Sequence, residues 1–303
     1  PTLDGVAAIC FDEFHERHLT TDLGLALTLQ TRALVRPELR LLVMSATLEP
    51  APVAALLDDA PVIVSEGRAF PVEVRWRPEG GDRPLAARVV RAVREALPLT
   101  EGDMLVFLPG IADLERTRQA LDEAALPAAA EVLLLHGGLT LEEQDRVLRR
   151  EGSRRRVVLS TAIAESSVTL ADVRVVIDSG LARVPRYDPR SGMTRLETVR
   201  VSQAAAEQRC GRAGRVAPGW CLRLWDAATH AAMPRRATPE VLEADLTGLA
   251  LDLACAGIED PGTLRWLDAP PAGAFAQGRS LLQALGALDA AGHVTPHGRS
   301  MAA

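Results

Sequence analysis

Several short stretches of this chain carry residue types that could do chemistry together. Asp12-Glu13-Phe14-His15 follows an unbroken apolar run, Val6 to Phe11, whose length and branching predict a strand buried on both faces. The carboxyl ends of such strands line the ligand crevice of open α/β sheets, and paired carboxylates there can hold a hydrated Mg2+ and orient a hydrolytic water. Ser45-Ala46-Thr47 closes a further strand with small hydroxyls at the same kind of edge. Gln208-Arg209-Cys210-Gly211-Arg212-Ala213-Gly214-Arg215 sets three guanidiniums on a backbone tight enough for bidentate contact with phosphate oxygens. Thr161 to Thr169 (TAIAESSVT) is a hydroxyl-rich loop suited to a phosphate backbone. A metal hydrolase built on His15 and His18 is disfavoured, because HxxH is not the HExxH that puts two histidines one helical turn apart.

The elements that must position these groups read as alternating strands and helices. A helix from Asp22 to Val35 and a strand from Leu39 to Thr47 complete a β-α-β unit. After a Pro/Gly-rich stretch at 77–84 come a helix over Leu85–Ala96, a strand over Met104–Gly110 and a helix from Ile111 to Ala125. Further strands are predicted at Ala130–Leu135, Arg156–Ser160 and Arg174–Asp178, which makes a doubly wound parallel sheet. Val184–Tyr187 and Met193–Val201 flank a turn sequence and predict a β-hairpin. Helices at Pro239–Ala256 and Phe275–Leu285 predict a small helical domain at the end.

Composition narrows the function. The 303 residues are 48% apolar and 24% charged, as in an ordinary globular protein. All 34 basic side chains are arginine, so no Schiff base, catalytic lysine or phosphate-loop lysine exists within these residues. A net charge of −6 gives no global attraction to nucleic acid, so any such binding must be local. The cluster Arg149, Arg150, Arg154, Arg155 and Arg156 is one candidate guide for it. Four cysteines without a CxxC pair argue against a zinc ribbon or a thioredoxin-type site and predict buried reduced thiols. No run approaches the roughly 18–20 apolar residues of a membrane span and no signal pattern opens the chain, which predicts a cytoplasmic protein without membrane attachment. Opening at Pro1 without Met, and already entering a strand at Val6, the sequence reads as a piece of a longer one.

Taken in order, the DEFH strand end, the SAT strand, FLPG at Phe107–Gly110, the TAIAESSVTL loop and QRCGRAGR resemble motifs II to VI of superfamily 2 helicases of the DEAH/RHA group. Phe14 followed by Glu16-Arg17 resembles the bacterial HrpB branch, and LRWLDAPP at Leu264–Pro271 resembles the family's winged-helix segment. The resemblance implies two RecA-like domains, an incomplete one over residues 1–78 and a second over 79–228, followed by a helical winged-helix-like domain over 229–303. It implies ATP bound between the RecA-like domains, with Asp12 and Glu13 at a water-mediated Mg2+ and Glu13 as general base. His15 and Gln208 would couple the γ-phosphate to the domain interface, and Arg212 and Arg215 would be arginine fingers. Ser45, Thr47, Gly211 and Thr169 would complete the nucleotide-contacting set. Thr161, His136, Gly137, and Arg186 and Arg190 of the hairpin would contact the nucleic-acid backbone. Ala162 stands where the family carries Asn and Ala171 where an acidic residue approaches the ribose, which predicts loose nucleotide selectivity.

The expected function is an ATP-dependent helicase acting as a monomer on single-stranded or structured RNA, with DNA as the alternative substrate. Because no GxxxxGK[ST] loop occurs in these residues, the chain alone is expected to lack ATPase activity. The competing reading is a non-catalytic nucleic-acid or partner-binding module derived from a helicase.

Overall fold

In the computed structural model, Ala8–Phe11 (β1), Leu19–Leu34 (α1) and Arg40–Val43 (β2) form a β-α-β unit with the strands parallel, Ala8 opposite Arg40 and Phe11 opposite Val43. The structure describes residues 3–47, 49–65, 67, 70–78, 83–124, 130–149, 154–165, 170–188 and 191–302. Both strands alternate between exposed and half-buried residues instead of being buried on both faces as the apolar runs predict, and Leu42 is 48% exposed. The reason is geometric: this sheet has two strands among the described residues and one covered face, so the two-residue side-chain period shows through. The covered face packs Phe11, Leu41 and Val43 on Phe14, Leu25, Leu29 and Val53, the last from a short helix at Pro50–Leu56 (α2).

Next along the chain come Val72–Trp76 (β3), Leu85–Ala96 (α3), Asp103–Phe107 (β4), Ile111–Glu123 (α4), Ala130–Leu135 (β5), Leu141–Leu148 (α5), Arg155–Ser160 (β6) and Val173–Asp178 (β7). The hairpin strands Leu181–Asp188 (β8) and Met193–Arg200 (β9) pair with each other and are followed by Gln203–Gly211 (α6), Gly219–Arg223 (β10) and Ala227–Ala232 (α7). A six-stranded sheet in the order β3-β10-β7-β4-β6-β5 is parallel throughout. Alternate residues of β4 serve opposite faces. Met104 and Val106 join Val89, Val93, Leu114 and Leu121 of α3 and α4, while Leu105 and Phe107 join Val147 of α5 and Cys210 of α6. Sequence reasoning missed β3 and β10. β3 reads Val-Glu-Val-Arg-Trp, the polar alternation of an edge strand, and so lacks the apolar run that marks a central one.

The helical end comprises Glu240–Glu243 (α8), Thr247–Cys255 (α9), Ala272–Ala284 (α10) and Pro296–Met301 (α11), with an antiparallel bridge between Leu288 and Val294. The single helix predicted over 239–256 is broken, because Asp245 turns its carboxylate onto the Thr247 N–H at 2.9 Å and starts a new helix there.

The chain divides into two compact units, one of Pro1–Val64, Pro185–Leu196 and Thr238–Ala303, the other of Ser65–Val184 and Glu197–Ala237. In the first, Leu23 and Ala26 of α1 share a core with Leu249, Leu253, Phe275 and Leu282, joining the first and last thirds of the sequence. No helix among the described residues is long and apolar enough to cross a membrane.

Candidate functional site

In the first unit, the carboxyl ends of β1 and β2 bring the DEFH and SAT stretches together. The Met44 N–H donates to the Phe11 carbonyl at 2.8 Å, and the Phe14 N–H donates to the Met44 carbonyl at 3.0 Å. Between these ties Glu13 is held at φ 48°, ψ 36°, a left-handed conformation that costs a non-glycine residue about 1–3 kcal/mol and that the flanking bonds impose. Asp12 is exposed, and its Oδ1 accepts the Glu13 N–H at 2.8 Å. His15 Nδ1 lies 3.4 Å from Glu13 Oε2 and 3.4 Å from the Ala46 amide. One imidazole nitrogen therefore stands between the carboxylate of one stretch and the backbone of the other. Ser45 is exposed and Thr47 half-buried beside it.

Phe14, fully buried, is the anchor under this turn, and Arg17 is its brace. The Arg17 guanidinium lies 5.8 Å from the Phe14 ring centroid, pairs with Asp22 at 2.9 Å and reaches Asp268 at 2.7 Å. The Leu19 amide donates to Glu240 at 2.8 Å, which adds a second tie to the helical end. Arg17 escaped attention in the sequence because its partners are distant in it; the LRWLDAPP stretch that carries Asp268 was the available signal.

In the second unit the arginine-rich stretch separates into different jobs. Arg209 is fully buried: Nη1 donates to Asp178 Oδ1 at 2.8 Å and to the Leu181 carbonyl at 3.3 Å, Nε donates to Glu165 at 2.7 Å, and the guanidinium lies 4.8 Å from the Phe107 centroid. Burial opposes its charge, but Asp178 and Glu165 outweigh burial and hold its pKa above the usual arginine value. Arg209 is thus occupied inside the protein, which corrects the expectation that all three guanidiniums meet phosphate. Arg212, 5% exposed, donates to the Glu165 carbonyl, while Arg215 is exposed and Gln208 half-buried. Glu165 and Asp178, absent from the candidate set, are the carboxylates that fix this turn.

The two glycines also differ. A Cβ on Gly214 would lie 2.5 Å from the Phe70 carbonyl oxygen and 2.8 Å from Val72, whereas one on Gly211 meets nothing within 4 Å. Gly214 is there so that β3 can approach. Gly214→Ala is expected to destabilise the protein by about 1–3 kcal/mol, with Gly211→Ala within about 0.5 kcal/mol of the parent. Urea-unfolding midpoints check both, and equal midpoints would refute the assignment.

Thr161 and His136 meet at the carboxyl ends of β6 and β5, where the Thr161 amide donates to the Leu135 carbonyl at 3.1 Å. His136 Nδ1 accepts the Gly138 N–H at 3.2 Å and folds the glycine turn, leaving Gly137 exposed. Arg186 on β8 is 3.7 Å from Glu243. Thr169 and Arg190 lie outside the described residues. Of the arginine cluster near 150, Arg155 and Arg156 are spent on structure, while Arg149 and Arg154 are exposed. Arg156 is buried against Asp103 at 2.6 Å, Arg155 donates to the Gly102 and Leu97 carbonyls, Arg149 pairs with Asp145, and Arg150 is outside the described residues.

Comparison with known proteins places these features. Residues 88–217 match the family described as helicase conserved C-terminal domain. The whole chain is 42% identical over 306 residues to the ATP-dependent RNA helicase HrpB of Escherichia coli, of which it spans 37%. It is 36% identical to ATP-dependent RNA helicase HrpA of the same organism, with 97% of this chain and 23% of that one covered. The crystal structure of the Escherichia coli DEAH/RHA helicase HrpB superposes with a TM-score of 0.92 at 41% identity, over all of this chain and 39% of that one. The chain therefore spans well under half the length of the relatives it matches.

Proposed function

Because the sequence and fold of this chain are those of the DEAH/RHA helicases, HrpB-like branch, over the segment it spans, we propose that it supplies most of the ATP-hydrolysing and RNA-contacting machinery of an ATP-dependent RNA helicase. The observation that carries this reading is the gathering of Glu13, His15 and Ala46 at one sheet edge, the arrangement an attacking water would need. The donor set suits a hydrated ion: two adjacent carboxylates at a strand end match Mg2+, which keeps its waters and shares phosphate oxygens, better than they match a protein-only cage. When bound with ATP, Mg2+ would supply charge neutralisation for phosphoryl transfer. Asp12 would hold the ion through water, and Glu13 would accept the proton of the attacking water. His15 and Gln208 would relay the state of the γ-phosphate, with Ser45 and Thr47 on either side of the Ala46 amide that meets His15. Arg212 and Arg215 would neutralise charge on a transferring phosphoryl group, and Gly211 and Thr169 would complete the nucleotide-contacting set. Thr161, His136, Gly137, Arg186 and Arg190 would contact the phosphate and sugar of RNA, which predicts binding independent of sequence.

Within these residues the phosphate-loop lysine does not exist, so the 303-residue chain alone is expected to bind RNA without hydrolysing ATP. Phosphate release at a helicase-like rate by this chain would contradict that reading. Fluorescence anisotropy with two labelled single-stranded RNAs of unrelated sequence tests the binding. Equal affinities are expected, with log K falling linearly in log salt, and Arg186→Ala should flatten that slope by about 0.7, the value of one phosphate contact. A preference for one sequence, or salt-independent binding, would exclude backbone recognition; a DNA oligonucleotide of the same sequence reports the sugar preference.

A further inference from the structure

In the second unit, two contacts tie α6 and the short turn that follows it to β10. At one end a Cβ on Gly219 would overlap the Ala213 carbonyl; at the other, Arg223 of β10 pairs with Glu207 of α6 at 2.8 Å. Cys210 stands midway between Glu207 and Ala213, and Cys221 midway between Gly219 and Arg223. Both belong to the same apolar core, Cys210 6% exposed and Cys221 fully buried. Ala213, in the short turn that follows α6, lies in the same core, and its carbonyl sits against Gly219 at the start of β10, so the backbones approach closely at that end. The two thiols are within hydrogen-bonding reach of each other, and a disulfide between them requires a Cα separation of roughly 4.4–6.8 Å. None of the machinery described above uses either thiol.

We propose that Cys210 and Cys221 are a redox couple, in which a hydroperoxide oxidises Cys210 and Cys221 then closes a disulfide that ties the arginine-bearing end of α6 to the sheet. The Cys210 thiolate sulfur attacks a peroxide oxygen: an S–O bond forms, the O–O bond breaks, and the leaving hydroxide takes a proton from solvent. The Cys221 sulfur next attacks the Cys210 sulfur: the S–S bond forms, the S–O bond breaks, and water leaves carrying the Cys221 proton. The two thiols give up two electrons and hydrogen peroxide becomes two waters. The order of events follows from the surroundings. The Cys221 thiol, hydrogen-bonded to Cys210, outweighs burial and, with Arg223, holds Cys210 below the usual thiol range, while the same bond and burial push Cys221 well above it. Cys210, the more accessible of the two, is the thiolate that reacts first. Arg212 lies two residues beyond it, so the disulfide restrains that guanidinium. A regulatory meaning rests on the helicase reading of Arg212 and Arg215; the disulfide does not.

The experiment exposes the 303-residue chain to hydrogen peroxide, caps remaining thiols with iodoacetamide and digests with trypsin. With no lysine in the chain, trypsin cuts only after arginine, so the link yields one product: Cys210-Gly211-Arg212 joined to Val216–Arg223, lighter than the two thiol peptides by two hydrogens. Dithiothreitol should restore both thiols. Cys221→Ser should remove the product, whereas Cys10→Ser and Cys255→Ser should leave it. Amide exchange over residues 208–215 should slow more than about tenfold in the linked chain. The proposal is overturned if both cysteines remain alkylatable, if Cys210 passes to sulfinic acid without a link, if Cys210 links instead to Cys10 or Cys255, or if exchange is unchanged. Failure of the helicase reading would leave all of these readouts as they are.

Discussion

Glu13→Gln, in a chain that also carries a GxxxxGK[ST] loop, is expected to lower RNA-stimulated ATP hydrolysis about 10²–10⁴-fold while nucleotide binding persists. Glutamine keeps the length of Glu13 and the backbone ties that hold its left-handed turn, from Met44 to Phe11 and from Phe14 to Met44, so the local fold should survive. What it loses is the capacity to accept a proton. Steady-state phosphate release gives the rate, and a fluorescent nucleotide analogue gives the affinity. Asp12→Asn should separate from it by weakening Mg2+-dependent nucleotide binding, the result expected if its charge holds the ion. Retention of most activity in Glu13→Gln would place the general base elsewhere.

Arg209→Met is expected to destabilise the second unit by about 3–5 kcal/mol, since it leaves the carboxylates of Asp178 and Glu165 without their shared cation. Asp178 is fully buried, so its charge cannot be recovered by water. For a unit of this size the loss corresponds to a fall of roughly 6–20 °C in Tm, read by calorimetry. Arg215→Ala, at an exposed position of the same motif, should stay within about 0.5 kcal/mol of the parent in stability and lose its effect on hydrolysis instead. Two arginines six residues apart thus give opposite outcomes, one in melting temperature and one in rate. Similar melting temperatures for the two variants would show that the buried network does not hold the turn.

How much was legible differed by element. Central strands announced themselves because burial on both faces demands unbroken apolar runs, as in Val157-Val158-Leu159 and Val175-Val176-Ile177. The edge strand β3 did not, because one side of its pleat carries Glu73 and Arg75. β1 and β2 announced more burial than they have, since a run of apolar residues records what a strand can bury and the neighbours present decide what it does bury.

The sequence by itself determined the likeness to the DEAH/RHA helicases and the parallel α/β architecture, because the chain order of the motifs leaves few alternatives and burial on both faces of a sheet restricts which side chains can serve. Tertiary structure alone decided which arginine is spent on the interior. Arg209, Arg212 and Arg215 share a short motif, but only Arg209 projects toward Asp178, a residue that reaches it through the pairing of β7 in the sheet. It also decided that Arg17 braces the turn carrying Glu13 and His15 through Asp268 and that Cys210 and Cys221 share one core. Each of these depends on contacts between stretches remote in sequence or on different elements, and no local period or spacing encodes them.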